Sequence, residues 1–234
     1  MNKPYIMKII AASLLGDGCV HIPREYKNAI YSTSKTVNHR DYIEWLIERL
    51  ETINKVSVSL HQPSMRNAKQ LICIRTRSHP IYTKFRHRMY PNGIKVVDPH
   101  YLKLLDWEFM AVWFQEDGTL NTRYRKNCYE MQASIATMCF SYGDHLLLAR
   151  AIEEKLHIPA HIRPIKAKNG ARQYMLTFRR KFIPRLLDGI QPYIVPSFQY
   201  KCSYDRLLAR CQDEEIVRPD EESSELDRND LITI

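Results

Sequence analysis

No window of this 234-residue chain reaches the roughly 18 uninterrupted apolar residues that a membrane-spanning helix requires. The lysine-flanked apolar opening, MNKPYIMKIIAASLLGDG, is short, runs into Asp17 and lacks a convincing cleavage site. It therefore reads as a first helix and not as an export signal. The six cysteines (Cys19, Cys73, Cys128, Cys139, Cys202 and Cys211) include no C-x-x-C pair. That absence argues against a zinc site and points to free, buried thiols in a reducing compartment. A soluble intracellular protein with no membrane partner is the expectation.

What the chain has in excess is positive charge. Its formal net charge is +9, and the sign is unevenly spread. From Asp213 onward, DEEIVRPDEESSELDRND sets nine acids against Arg218 and Arg228, which leaves +16 on the 212 residues before it. An excess of that size on a folded body is the electrostatic footprint of a polyanion binder. The tail, residues 212–234, reads as disordered, its acidity a weak screen for the basic surface. At 44% hydrophobic content the remainder can bury the core of one large domain or two small ones.

Residues 5–16 pattern as a helix closed by Gly18. CVHIP and NAIYSTS read as strands linked by REYK, and 41–50 as a helix with apolar residues at 42, 43, 46, 47 and 50. VSVSLHQ and QLICIRTR form a hairpin, and HPIYTKFRHRMYPNG a helix stopped by Pro91-Asn92-Gly93. Then the order begins again. A helix at 105–118 precedes strands near TLNTRYR and YEMQASIAT, a helix at 144–158 and a hairpin of HIRPIKA and QYMLTFRR; KFIPRLLDGIQPYI is a last helix. Each half is α-β-β-α-β-β-α, so two copies make a pseudo-dimer of residues 1–104 and 105–211. The fold class expected is α+β: tandem αββαββα repeats about a pseudo-twofold axis, each a four-stranded antiparallel saddle sheet with helices on one face.

Setting Ile10-Ala11-Ala12-Ser13-Leu14-Leu15-Gly16-Asp17-Gly18 against Met110-Ala111-Val112-Trp113-Phe114-Gln115-Glu116-Asp117-Gly118 aligns two aspartates 100 residues apart. Ala11, Ala12, Ser13 and Gly16 would let the helix backbones approach closely. Val112 and Trp113 are large, so the packing is expected to be asymmetric. Each helix delivers its aspartate at a C-terminal end, where the macrodipole adds roughly −0.5 charge. Two such ends repel unless something positive lies between them, and a hard divalent cation with oxygen ligands suits that place.

Both nine-residue stretches resemble the LAGLIDADG signature, and two copies in one chain resemble the monomeric LAGLIDADG homing endonucleases, over roughly residues 5–210. The resemblance implies site-specific cleavage of both strands of a long asymmetric DNA duplex by metal-assisted phosphodiester hydrolysis. Asp17 and Asp117 are the implied catalytic metal ligands, with Gly16 and Glu116 beside them at the cation. Mg²⁺ is the implied cofactor, Mn²⁺ an active substitute, and Ca²⁺ a cation that binds without supporting cleavage. Family members commonly place a basic residue late in each repeat, near the scissile phosphate. Lys95 in GIKVV and Lys201 in FQYKC fall at matching places, 78 and 84 residues after their aspartates. There each would order the attacking water and offset developing charge. A microbial cytoplasm or an organelle (mitochondrion or chloroplast) is the expected location.

The free face of each sheet suits the DNA major groove. Counting alternate residues onward from each aspartate points to His21 and Glu25 in the first half, then to Asn121, Arg123 and Arg125 in the second. Arg75 and Arg77 belong to the other hairpin of the first half; Arg163, Lys166, Gln173 and Arg179 belong to that of the second. Two other functions would use the same scaffold: an intron-encoded maturase that binds its own intron RNA, and a non-catalytic DNA-binding regulator. The presence of both aspartates favours the nuclease.

Overall fold

Helices apolar on every face are helices that the fold surrounds. Such are α1 (Lys3–Leu15) and α5 (Trp107–Asp117), whose residues Ile9–Leu14 and Phe109–Gln115 are wholly buried. The two pack against each other at the centre of the molecule. The computed structural model describes residues 3–64, 66, 68–125 and 128–202, with the backbone alone at residue 3 and over 122–125 and 128–130. The tail expected from residue 212 lies outside these. Among the described residues no helix is long and apolar enough to cross a membrane.

After α1 come β1 (Cys19–His21), β2 (Ile30–Thr36), α2 (Arg40–Leu50), β3 (Val56–His61), β4 (Leu71–Thr76) and α3 (Pro80–Met89). A one-turn α4 (Pro99–Leu102) leads into α5. The second half then runs β5 (Gly118–Arg125), β6 (Cys128–Ile135), α6 (Tyr142–Leu156), β7 (Ala160–Lys166), β8 (Arg172–Phe178) and α7 (Ile183–Ile190), closing in 3₁₀ turns at Gln191–Tyr193 and Pro196–Lys201. Two antiparallel four-stranded sheets share one topology, β1-β2-β4-β3 and β5-β6-β8-β7. The α+β fold of two repeated halves expected from the sequence is what the chain adopts.

Local chemistry explains the boundaries. Ser141 and Asp144 close a reciprocal capping box at the start of α6, and the Asp106 side chain accepts the Phe109 N–H at the start of α5. Helix α7 buries Ile183, Leu186, Leu187 and Ile190, the i, i+3, i+4, i+7 stripe of a helix lying on a sheet. Strand β2 alternates, with Tyr31, Thr33 and Lys35 turned inward. Cys19 lies opposite Ser32, and Thr119 opposite Ser134. Counting from those pairs, Lys35 in the first half is the counterpart of Thr137 in the second.

The halves also hold one another reciprocally. Asp41, at the start of α2, accepts the backbone N–H of Ser197 at 2.9 Å. Asp144, at the start of α6, accepts the backbone N–H of Val97 at 2.9 Å. Each closing segment, which carries Lys95 or Lys201, is thus anchored to the other half.

Candidate active site

The chain leaves α1 in a tight turn in which the N–H groups of Gly16 and Gly18 both donate to the Ser13 carbonyl, at 3.0 and 2.9 Å. A Cβ on Gly18 would stand 2.6 Å from Ser13 Oγ, and one on Gly118 would stand 2.3 Å from the Phe114 ring. The glycine after each aspartate therefore lets the strand start hard against the helix it leaves. That exit puts Asp17 and Asp117 at the adjoining C-terminal ends of α1 and α5. The Asp17 side chain is half exposed and Asp117 is partly buried.

Glu116 fills the seam between those ends. Its Oε1 accepts from Ser13 Oγ and Tyr42 Oη, each at 2.8 Å, and its Oε2 accepts the Asp17 backbone N–H at 2.8 Å. Only a glycine at position 16 leaves room for it, since a Cβ there would lie 2.4 Å from Oε2. Glu116, expected beside the cation, is thus held within the helix interface, where both of its oxygens already accept hydrogen bonds. Gly16 is likewise engaged, its carbonyl accepting from Lys95 Nζ at 2.8 Å.

Both lysines expected at the site arrive there, in corresponding roles. Lys201 Nζ donates to the Gln115 carbonyl at 2.6 Å, with the Phe114 and Glu116 carbonyls each at 3.4 Å. Lys95 and Lys201 thus each sit on the negative end of their own half's central helix. A third lysine was missed by sequence reasoning. Lys35, 7% exposed, ion-pairs with Asp17 Oδ2 and lies 5.6 and 5.9 Å from the ring centroids of Tyr42 and Phe198. The available signal was its phase in β2, shared with buried Tyr31 and Thr33.

These charges tune one another. Burial, together with repulsion from Asp17 and Glu116, pushes Asp117 up from 3.8 to about 6, against the pull of Lys95 and Lys35. Burial, with repulsion from Lys35, brings Lys201 down from 10.5 to about 8, although all three acids oppose it. Burial also raises Glu116, opposed first by Lys35. His39 is stacked on Phe198 with ring centroids 4.0 Å apart, and it is lowered by burial and then by Lys35 and Lys201.

Among the described residues no three His, Cys, Asp or Glu side chains form a ready-made metal cage. What the helix ends offer is two carboxylates. Mg²⁺ is commonly held by one or two carboxylates, with water and substrate phosphate completing the shell. The donor set therefore fits a hard cation shared with a bound phosphate.

Of the residues expected to touch DNA, His21 and Arg75 lie on the open face of the first sheet, and Arg77 follows β4 in phase with Arg75. Glu25 does not, because β1 ends at His21 and Glu25 lies exposed in the turn beyond Pro23. Asn121 is exposed on β5; Arg123 and Arg125 lie on the same strand, their side chains outside the described residues. Arg163 and Gln173 share the open face of the second sheet, and exposed Arg179 follows β8 in phase with them. Lys166 is corrected: it pairs with Arg172 in the phase of Tyr174, whose ring packs against Tyr142 and His145 of α6 on the helical side.

Two open sheets and one carboxylate pair at the junction of two repeats define a class of pseudo-dimeric α+β protein with a single shared acidic centre. Residues 7–186 match the model of the LAGLIDADG DNA endonuclease family. The chain belongs to that family, in the form that carries both repeats in one polypeptide. It is 25% identical over 198 residues to an uncharacterized protein of Methanocaldococcus jannaschii, covering 82% of this chain and 72% of that one. It is 23% identical over 208 residues to the cytochrome b mRNA maturase bI2 of Debaryomyces hansenii, covering 86% and 75% respectively. Its fold is similar to that of the homing endonuclease I-WcaI bound to its DNA recognition sequence, with a TM-score of 0.72 at 18% identity, covering 86% of this chain and 87% of that chain.

Proposed function

We propose that this protein is a site-specific endonuclease that hydrolyses both strands of a long asymmetric DNA duplex, working as a monomer with Mg²⁺. One observation carries the proposal: Asp17 and Asp117 adjoin at paired helix C-termini, with Lys95 and Lys201 bonded to the carbonyls of those same ends. Asp17 and Asp117 would hold the cation, which when bound supplies an activated water and charge neutralisation at the phosphate. Lys95 and Lys201 orient that water and stabilise charge on the phosphoryl oxygens. Lys35 holds the Asp17 carboxylate in place. Glu116 fixes the backbone from which that carboxylate projects.

Incubating the purified protein with Mg²⁺ and a pool of duplex DNA, then mapping new double-strand ends, tests the proposal. One recurrent cleavage sequence is expected, and it should vanish in Asp17→Asn and in Asp117→Asn. Cleavage that survives either substitution would overturn it. By the same reasoning Mn²⁺ supports cutting, and Ca²⁺ supports binding alone.

A second reading has its own support, the likeness over 86% of the chain to a protein named an mRNA maturase. Under it the chain binds its own intron RNA in an organelle or a microbial cytoplasm, and the basic surface serves folding of that RNA. Splicing of the host intron that persists in Asp17→Asn would separate this activity from DNA cleavage.

A further inference from the structure

A cavity of about 560 Å³ opens on the free face of the first sheet, beginning at Asp17 and crossing all four strands. Cross-strand register arranges its lining in two rows, Ser32–Arg75–Ser57 and Ser34–Cys73–Ser59. Five of these six side chains are short. Arg75 is the only basic residue among the described residues lining the cavity. Register gives the counterparts in the second half: Ser57 corresponds to His161, Ser59 to Arg163 and Cys73 to Met175. Ser32 and Arg75 correspond to Ser134 and Thr177, so the second half gives up the arginine at that place. Its longer side chains lie instead at His161, Met175 and Arg163, joined by Gln173 and by Gln132 opposite Asn121.

We infer that the two halves read their half-sites by different means, an inference that rests on the DNA-binding reading above. Over this cavity the first half uses Arg75 directly and otherwise works through a layer of water held by serine hydroxyls, with His21 and Arg77 outside its lining. The second half reaches base edges with its own side chains. Sequence information in the target is therefore concentrated on the half-site facing the second repeat.

The physical reasons are size and chemistry. A serine hydroxyl ends one bond beyond Cβ, so a duplex lying over this sheet would leave the floor of the cavity short of the bases. At about 30 Å³ per molecule of liquid water, the space holds roughly twenty waters. Such waters bridge protein and bases at little net cost, and they reorient to suit donors or acceptors. A serine hydroxyl, moreover, both donates and accepts, so it pairs with any base edge and rejects none strongly. Arg163 and Gln173 differ, being of the types that make bidentate contacts with guanine and adenine.

In vitro selection of a randomised duplex pool, carried out with the full chain in Ca²⁺, tests this without requiring cleavage. The expected profile is lopsided. Single substitutions in the informative half-site should weaken binding tenfold or more, whereas most in the other should weaken it less than threefold, the pairs facing His21, Arg75 and Arg77 excepted. Two variants fix the orientation. Ser59→Arg should create a new guanine preference within the weak half-site, and Arg163→Ser should erase one from the strong half-site. Equal information in both half-sites, or a Ser59→Arg profile identical to that of the parent chain, would overturn the inference and leave DNA binding intact. Failure to enrich any duplex would remove the DNA-binding reading and this inference together.

Discussion

The carboxylate of Glu116 accepts the backbone N–H of Asp17 at 2.8 Å, so the end of one central helix caps the end of the other. The same carboxylate also takes Ser13 and Tyr42. Removing a buried acceptor leaves its donors unsatisfied, at about 1–3 kcal/mol each. Glu116→Ala should therefore lower unfolding free energy by about 3 kcal/mol, and Glu116→Gln, which keeps the volume and one acceptor, by about half as much. Urea denaturation of the three proteins measures both differences.

Asp117 and Lys201 bracket the pH range of activity. With Asp117 near 6 and Lys201 near 8, the form with an ionised aspartate and a charged lysine dominates between those values. A bell-shaped rate profile is expected, its alkaline limb near pH 8. Its acid limb is set by protons competing with the cation for Asp117, at or below about pH 6 and moving lower as Mg²⁺ is raised. Lys35 is the main charge that lowers Lys201 and the lesser of the two that lower Asp117, so Lys35→Met should move the alkaline limb upward and the acid limb upward by less. Single-turnover cleavage measured across pH checks the direction.

The raised aspartate also makes a stability prediction. Because its folded value lies above the unfolded 3.8, the native state keeps a proton that the unfolded chain has already released. Stability should therefore fall as pH climbs from about 4 to about 6 and stay lower above that window. Asp117→Asn removes this penalty. It should abolish cutting while raising neutral-pH stability by at most about 3 kcal/mol, seen as a higher Tm.

Gly16 offers a steric test. A methyl group there would meet Glu116 Oε2 at 2.4 Å and Glu116 Cβ at 2.8 Å. Gly16→Ala should destabilise by about 2 kcal/mol through overpacking, and pairing it with Glu116→Ala should recover part of that loss. A double-mutant cycle in thermal denaturation gives the coupling.

Periodicity and the duplicated aspartates made the architecture legible in the sequence, since helix-strand order repeats whatever the tertiary detail. The placement of Asp17, Asp117, Lys95 and Lys201 followed from that repetition. Lys35 escaped because IYSTSKT looks like a polar strand until its inward phase is known, and a buried lysine is intelligible only beside the acid that balances it. Glu25 and Lys166 were misplaced by the opposite error, in which alternation was carried past the end of β1 and across the two phases of β7. Glu116 looked like a spare ligand because nothing local shows that Ser13 and Tyr42 meet it from other elements.

The crossed anchoring of Asp41 to Ser197 and of Asp144 to Val97 bears on how such proteins recombine. A hybrid that grafts one repeat onto a foreign mate would carry each lysine arm on a helix it did not evolve with. Grafts that transplant the arm along with the opposing helix start should keep catalysis, whereas those cut cleanly between repeats should still bind and lose the ability to cut.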